Sequence, residues 1–359
     1  MPSYFEKFSY YPALRTRPAE MLGYHEISDE IKDELLPLIT LGAWPKQSGI
    51  AASLENARAA IGNRPYFLDI TSESKYQNPE VLALRSSEGS FSAWRKLIKE
   101  NPLAIPVVQM PKDLRLPDLM RQTRELAKLA QERVVFRLID LAVDTPRVVA
   151  ALSSLDSAEQ ALVIIDLELV TRELIGKCIA ESLRTINQIR QDIPDATLCL
   201  MASSFPSSVT KSFDKESGGT RGSIPILERE LFEEVGSDAC IYGDHASIHP
   251  KVSAASGGRY TPRIDYPTAE SWEFERRPDT DARGYIDAAK ALIGSFPEIE
   301  KNGSWGARKI VSAASGYIEK MKTPSSWIAA RVNMHITRQF HLSQASGSPA
   351  DDDPLDDWL

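Results

Sequence analysis

Carboxylates, imidazoles and guanidinium groups recur in this chain at one kind of position, immediately after short apolar runs. Reading the residue at the end of each run gives Arg15, Thr40, Asp69, Gln109, Asp140, Asp166 with Glu168, Ser203 with Ser204, and Asp244 with His245. Several carboxylates around one site could hold a divalent metal through oxygen ligands, or divide the work of general acid and general base. A single Asp in this set has a plainer reading, because polar residues end strands wherever strands meet loops, and Asp also caps helices. As a set, the strand ends carry more ionisable groups than packing needs. Asp69, Asp166, Glu168, Asp244 and His245 are therefore the candidate catalytic residues, with Arg15 and Gln109 as candidate ligand contacts. The cofactor stays open, a divalent metal being one option.

The densest segment is Tyr242-Gly243-Asp244-His245-Ala246-Ser247-Ile248-His249-Pro250. His245 and His249 are four apart, which would align them on a helix, but Pro250 argues for an extended loop and against a zinc pair. Gly243 would allow a sharp turn. Further on, 260–266 and 272–277 interleave aromatic residues with arginines. Arginine can grip phosphate or carboxylate with two parallel hydrogen bonds, and an aromatic ring can stack a base or sugar. Arg263 and Arg276 are thus candidate ligand contacts, with structural counter-ions as the rival reading. The Gly-rich stretch 217–222 reads as a flexible loop, in a place where barrels often bind phosphate. No nucleotide-binding glycine fingerprint, Walker loop, nucleophile elbow or His-Glu-x-x-His motif is present.

Eight apolar runs position these groups: 11–14, 37–41, 66–70, 105–110, 134–139, 162–167, 197–202 and 240–243. Near-continuous apolarity suits strands covered on both faces, as in a parallel sheet. Between them, 118–131, 171–191 and 226–235 carry apolar residues at three- and four-residue spacing, the pattern of amphipathic helices. The alternation predicts an α/β fold, a TIM-like (β/α)8 barrel spanning 1–252, whose chemistry would gather where the strands end. After residue 250 the rhythm changes. A small, Gly-rich stretch at 253–259 precedes two extended segments at 260–266 and 271–276, then helices at 282–295 and 325–340. This predicts an appendage, 253–342, packed near the barrel mouth. Residues 343–359 are Ser/Gly/Pro-rich and then acidic, which predicts a flexible, disordered acidic tail.

The net charge of -8 makes extended duplex nucleic-acid binding unlikely as a partner class. The three cysteines, Cys178, Cys199 and Cys240, are widely spaced and read as buried thiols rather than a disulfide scaffold. No apolar stretch approaches the ~18 residues of a membrane span, and no signal-like N-terminus is evident, so a cytoplasmic protein without membrane contact is expected.

In order, the chain shows Tyr-x-Pro-x-Leu-Arg (Tyr10, Pro12, Leu14, Arg15), Leu36-Pro37-Leu38-Ile39 and Tyr242-Gly243-Asp244-His245-Ala246. Pro262-Arg263-Ile264-x-Tyr266 before Trp272, and Asn302-Gly303-x-Trp305-Gly306, follow. With these motifs it resembles the phage-type beta protein family of phages and bacteria, from Tyr10 to about Ile310. The resemblance implies a barrel-like fold and an association with phage biology or bacterial antiphage gene neighbourhoods, and it implies no particular activity. Members often carry Glu where this chain has Thr40, and an aromatic residue where it has His245.

Two functional readings stand. In one, the barrel is an enzyme acting on a small phosphorylated or nucleotide-like ligand, with Arg15 and Arg263 holding the anion. In the other, it is a recognition or adaptor protein whose tail recruits a protein partner. There Trp358 and Leu359 would be the anchors and the preceding aspartates would steer towards a basic surface.

Overall fold

The computed structural model describes residues 3–44, 49–252, 260–278 and 280–347. Seven of the first nine strands follow the expected apolar runs closely: β1 (Tyr10–Arg15), β2 (Leu38–Leu41), β3 (Tyr66–Ile70), β5 (Val134–Leu138), β6 (Ala161–Leu169), β7 (Thr197–Ser203) and β9 (Ile241–Asp244). The eighth expected strand, β4 (Ala104–Pro106), is shorter than its run. These eight form one parallel sheet in the order β4-β3-β2-β1-β9-β7-β6-β5. Its two ends meet through a single bridge between Val107 and Val135, reinforced by the Val108 amide donating to the Val135 carbonyl at 2.8 Å. The result is a nearly closed eight-stranded barrel, with twelve α-helices among the described residues.

The two-residue period of a strand sorts side chains between the two faces of this sheet. Tyr11, Ala13, Leu38, Phe67, Ile105, Val135, Leu162, Ile164, Cys199 and Met201 fill the interior. Their neighbours Tyr10, Ile39, Leu68, Phe136, Val163, Leu200 and Tyr242 face the helices. Gly243, expected to make a turn, instead lies within β9. A Cβ there would stand 2.8 Å from Cys199 Sγ, so the glycine is needed for interior packing. All three cysteines are buried and free.

The segment after β7 departs from expectation. Arg221 and Gly222, in the stretch read as a flexible loop, begin β8 (Arg221–Pro225). This strand leaves the barrel and pairs antiparallel with β11 (Ser271–Arg276), whose other neighbour is β10 (Arg263–Pro267). The strand forms because alternate residues bury: Ile224 packs with Phe205, Trp272 and Phe274, while Arg221, Ser223 and Pro225 stay exposed. The C-terminal residues are thereby sewn to the barrel by a strand that precedes β9 in the chain.

The helix Gly284–Ser295 and the C-terminal helix Pro324–Gly347 correspond to expected helices, and Trp305–Ala314 adds one the pattern did not single out. The C-terminal helix runs on to Gly347, so 343–347, expected to open a flexible tail, are helical. It lies tightly against the helix Pro18–His25. At Gly23 a Cβ would be 2.6 Å from the Ala329 carbonyl oxygen, a spacing only glycine permits. The 253–259 stretch and the acidic end with Trp358 and Leu359 lie outside the described residues. Among the described residues no helix is long and apolar enough to cross a membrane.

Candidate functional site

Above the apolar interior, the same inward parity continues into a polar layer: Arg15 on β1, Thr40 on β2, Asp69 on β3, Arg137 on β5 and Asp166 on β6, with Gln109 and His245 just beyond β4 and β9. They surround the floor of a cavity of about 1110 Å³ at the C-terminal ends of the strands, bordered by Arg15, Thr40, Asp69, Gln109, Arg137, Glu168 and His245.

Arg137 is the hub of this floor. Its Nη2 and Nε reach Asp166 Oδ2 at 2.6 and 2.8 Å, and its Nη1 reaches Asp69 Oδ2 at 2.9 Å. The other oxygen of Asp166 lies 3.0 Å from His245 Nε2 and accepts the Glu168 amide at 2.8 Å. Burial by itself would push the Asp166 carboxyl up, but His245 and Arg137 overcome that and hold it well below the usual carboxylate range. For Arg137 burial likewise opposes the charge, and Asp166 and Asp69 outweigh it, so the guanidinium is firmly cationic. Asp69 Oδ1 accepts the Ile70 amide at 2.7 Å and faces Gln109 Nε2 at 3.4 Å. Arg85 ties this edge to the Ile70 carbonyl at 3.2 Å and to Gln109 Oε1 at 3.4 Å.

Two further ion pairs line the walls. Arg15 Nε pairs with Glu20 Oε1 at 3.1 Å, while its Nη1 is buried without a hydrogen-bond partner. Glu168 sits at a bulge in β6 with φ +56° and binds Lys251 Nζ at 2.9 Å.

An ionised Asp166 on Nε2 places the proton of a neutral His245 ring on that nitrogen and leaves the Nδ1 lone pair for the cavity. That is the arrangement of an oriented general base, which becomes a general acid once protonated. Arg15 borders the same cavity with its Nε paired to Glu20. Asp69 and Asp166 share the Arg137 guanidinium between them, and among the described residues no three His, Cys, Asp or Glu side chains converge as metal ligands.

Three sequence candidates are placed elsewhere. Asp244 is not at the mouth: it falls on the outward parity of β9, fully buried against the helices. There it accepts from Tyr10 Oη at 2.7 Å, Tyr242 Oη at 2.9 Å, the Ala246 amide at 2.7 Å and His335 Nε2 at 2.9 Å. Arg263 pairs with Asp265 at 2.8 Å in the three-stranded sheet, and Arg276 lies 4.2 Å above the Phe213 ring. Neither borders the cavity. Arg263 is thus paired within the three-stranded sheet, and Arg276 lies against a ring from the segment just before β8. The turn at 217–220 also lies away from the mouth.

Sequence reasoning passed over Arg137, Arg85, Glu20 and Lys251. Arg137 left a signal: it is a charged residue inside the apolar run 134–139, at the same parity as inward-facing Val135.

The Beta protein family model matches residues 10–341. Protein beta of Enterobacteria phage P4 is 43% identical to this chain over 346 residues, covering 96% of each chain.

Proposed function

Because this chain belongs to the Beta protein family, we propose that it is a phage-associated or antiphage-defence protein whose mouth cavity takes a phosphorylated or nucleotide-like ligand. In this proposal the nearly closed barrel is a TIM-like (β/α)8 barrel acting in the cytoplasm, and its working end is the face where such barrels gather chemistry. The observation that carries the reading is the Asp166–His245 pair braced by Arg137 beneath a large cavity. Arg15, a guanidinium bordering that cavity, supports an anionic ligand. His245 would move a proton at Nδ1, Asp166 would fix the ring, and Arg15 would hold the anion. Gln109, Glu168 and Lys251 would complete the walls.

The test is a thermal-shift screen of the full chain against nucleotides and sugar phosphates, followed by a turnover assay on each hit. A ligand present at 100 times its Kd adds about 2.7 kcal/mol of stability by mass action. The hit should be lost in Arg15→Gln, whereas His245→Asn should retain binding and lose turnover. A silent screen on well-folded protein would overturn the ligand reading and turn attention to partner recruitment through Trp358 and Leu359.

A further inference from the structure

His245 sits at a corner of the chain that its own sequence does not favour. The two residues after it, Ala246 and Ser247, have φ of +49° and +63°, a left-handed conformation that residues with a Cβ rarely adopt. Something must hold that backbone: Tyr10 and Tyr242 bind Asp244, the Ile248 amide donates to the His245 carbonyl at 2.8 Å, and two further side chains come from one element, the C-terminal helix Pro324–Gly347.

His335 Nε2 meets Asp244 Oδ2 at 2.9 Å, and the other oxygen of Asp244 accepts the Ala246 amide at 2.7 Å. One turn earlier on the helix, Arg331 Nε donates to Ser247 Oγ at 3.3 Å, while its Nη1 is anchored on Asp265 Oδ2 at 2.7 Å. Every one of these side chains is buried, and none of His335, Arg331 and Asp244 borders the mouth cavity.

We infer that His335 and Arg331 are positioning residues for His245. The C-terminal helix clamps the 244–247 corner in its left-handed form, and that corner delivers the His245 ring to Asp166. This rests on reading His245 as the acid–base group, and it adds that the group's orientation is set by an element outside the barrel. Among the described residues, none of the helix borders the ligand cavity, and the His245 ring pairs with Asp166 rather than with the helix. It acts through Asp244 and Ser247, each next to or near His245 in the chain.

The test reads the His245 ring without any ligand. In 15N-labelled full-length protein, long-range proton–nitrogen correlations report which ring nitrogen carries the proton, and His245→Asn assigns the signals. At a pH where the ring carries one proton, wild type should show a single tautomer protonated on Nε2. His335→Leu should lose that preference and show comparable populations of both tautomers. His335→Gln, whose amide can still donate to Asp244, should restore it. Should His335→Leu fail to fold, Ser247→Ala decides, since it removes only the Arg331 contact and should shift part of the population. A folded His335→Leu with the wild-type tautomer overturns the inference, as does His335→Gln behaving like His335→Leu, or an unmoved Ser247→Ala where it must decide. Because no ligand enters, a failed ligand screen leaves this result standing, and a lost clamp leaves the screen standing.

Discussion

Replacing Arg137 by methionine keeps the bulk of the side chain and removes the cation that Asp69 and Asp166 share. Breaking a buried ion pair by deleting one partner costs about 3–5 kcal/mol, because the remaining charge is left uncompensated. Here the remaining carboxylates keep other donors: Asp166 retains His245 and the Glu168 amide, and Asp69 retains the Ile70 amide. The lower part of that range is therefore expected at neutral pH. An unfolding entropy of about 2.1 cal/mol/K per residue makes 1 kcal/mol worth roughly 1.3 °C in a chain of this length, so Tm should fall by about 4–5 °C. The pH dependence has a definite sign. Asp166 is held below its ordinary value, so its stabilising contribution is complete above the unfolded pKa of about 3.9 and is lost as pH falls through the lower folded value. The gap between wild type and Arg137→Met should thus be widest near pH 7 and narrow below about pH 4. Urea or thermal unfolding at pH 7.5 and at about pH 3 measures both quantities. A loss below about 1 kcal/mol at pH 7.5, the worth of a solvent-exposed pair, would refute the hub role assigned to Arg137.

Glu228 gives a second pH signature with the opposite sense. Burial, and then the charge of Asp244, push its carboxyl up to about 7, so stability should decline as pH rises from about 4.5 through 7. Glu228→Gln, which can still accept from the Ser204 amide, should flatten that decline and gain of order 3 kcal/mol at pH 8; parallel Tm–pH curves would refute it. Gly23→Ala should destabilise by about 1–3 kcal/mol through overpacking against the Ala329 carbonyl. An alanine that stabilises, as it would in an open helix by about 1 kcal/mol, would show that the two helices are not so closely packed.

The barrel strands were legible because a strand covered on both faces must be apolar nearly throughout, and runs such as 134–139 and 161–165 meet that demand locally. The strand β8 was not legible. Arg221-Gly222-Ser223-Ile224-Pro225 contains one large apolar residue, and only the Trp272 and Phe274 side chains brought beside it make it a strand. The site was legible in part. Asp69, Asp166, Glu168, Gln109, Arg15 and His245 come together at the mouth, whereas Asp244, one residue from His245, points the other way. A one-residue step along a strand reverses the face, and a list of strand-end residues carries no parity until the register is known.

The sequence by itself determined the eight parallel strands of the barrel and the polar groups at their ends, since these follow from local periodicity and composition. The tertiary structure decided which of those groups meet. Arg137 is 68 residues from Asp69 and 29 from Asp166, and His335 is 91 from Asp244. Contacts across such separations form only when the sheet curls almost closed and the C-terminal helix lies down on it, and the register and packing of the whole chain fix both.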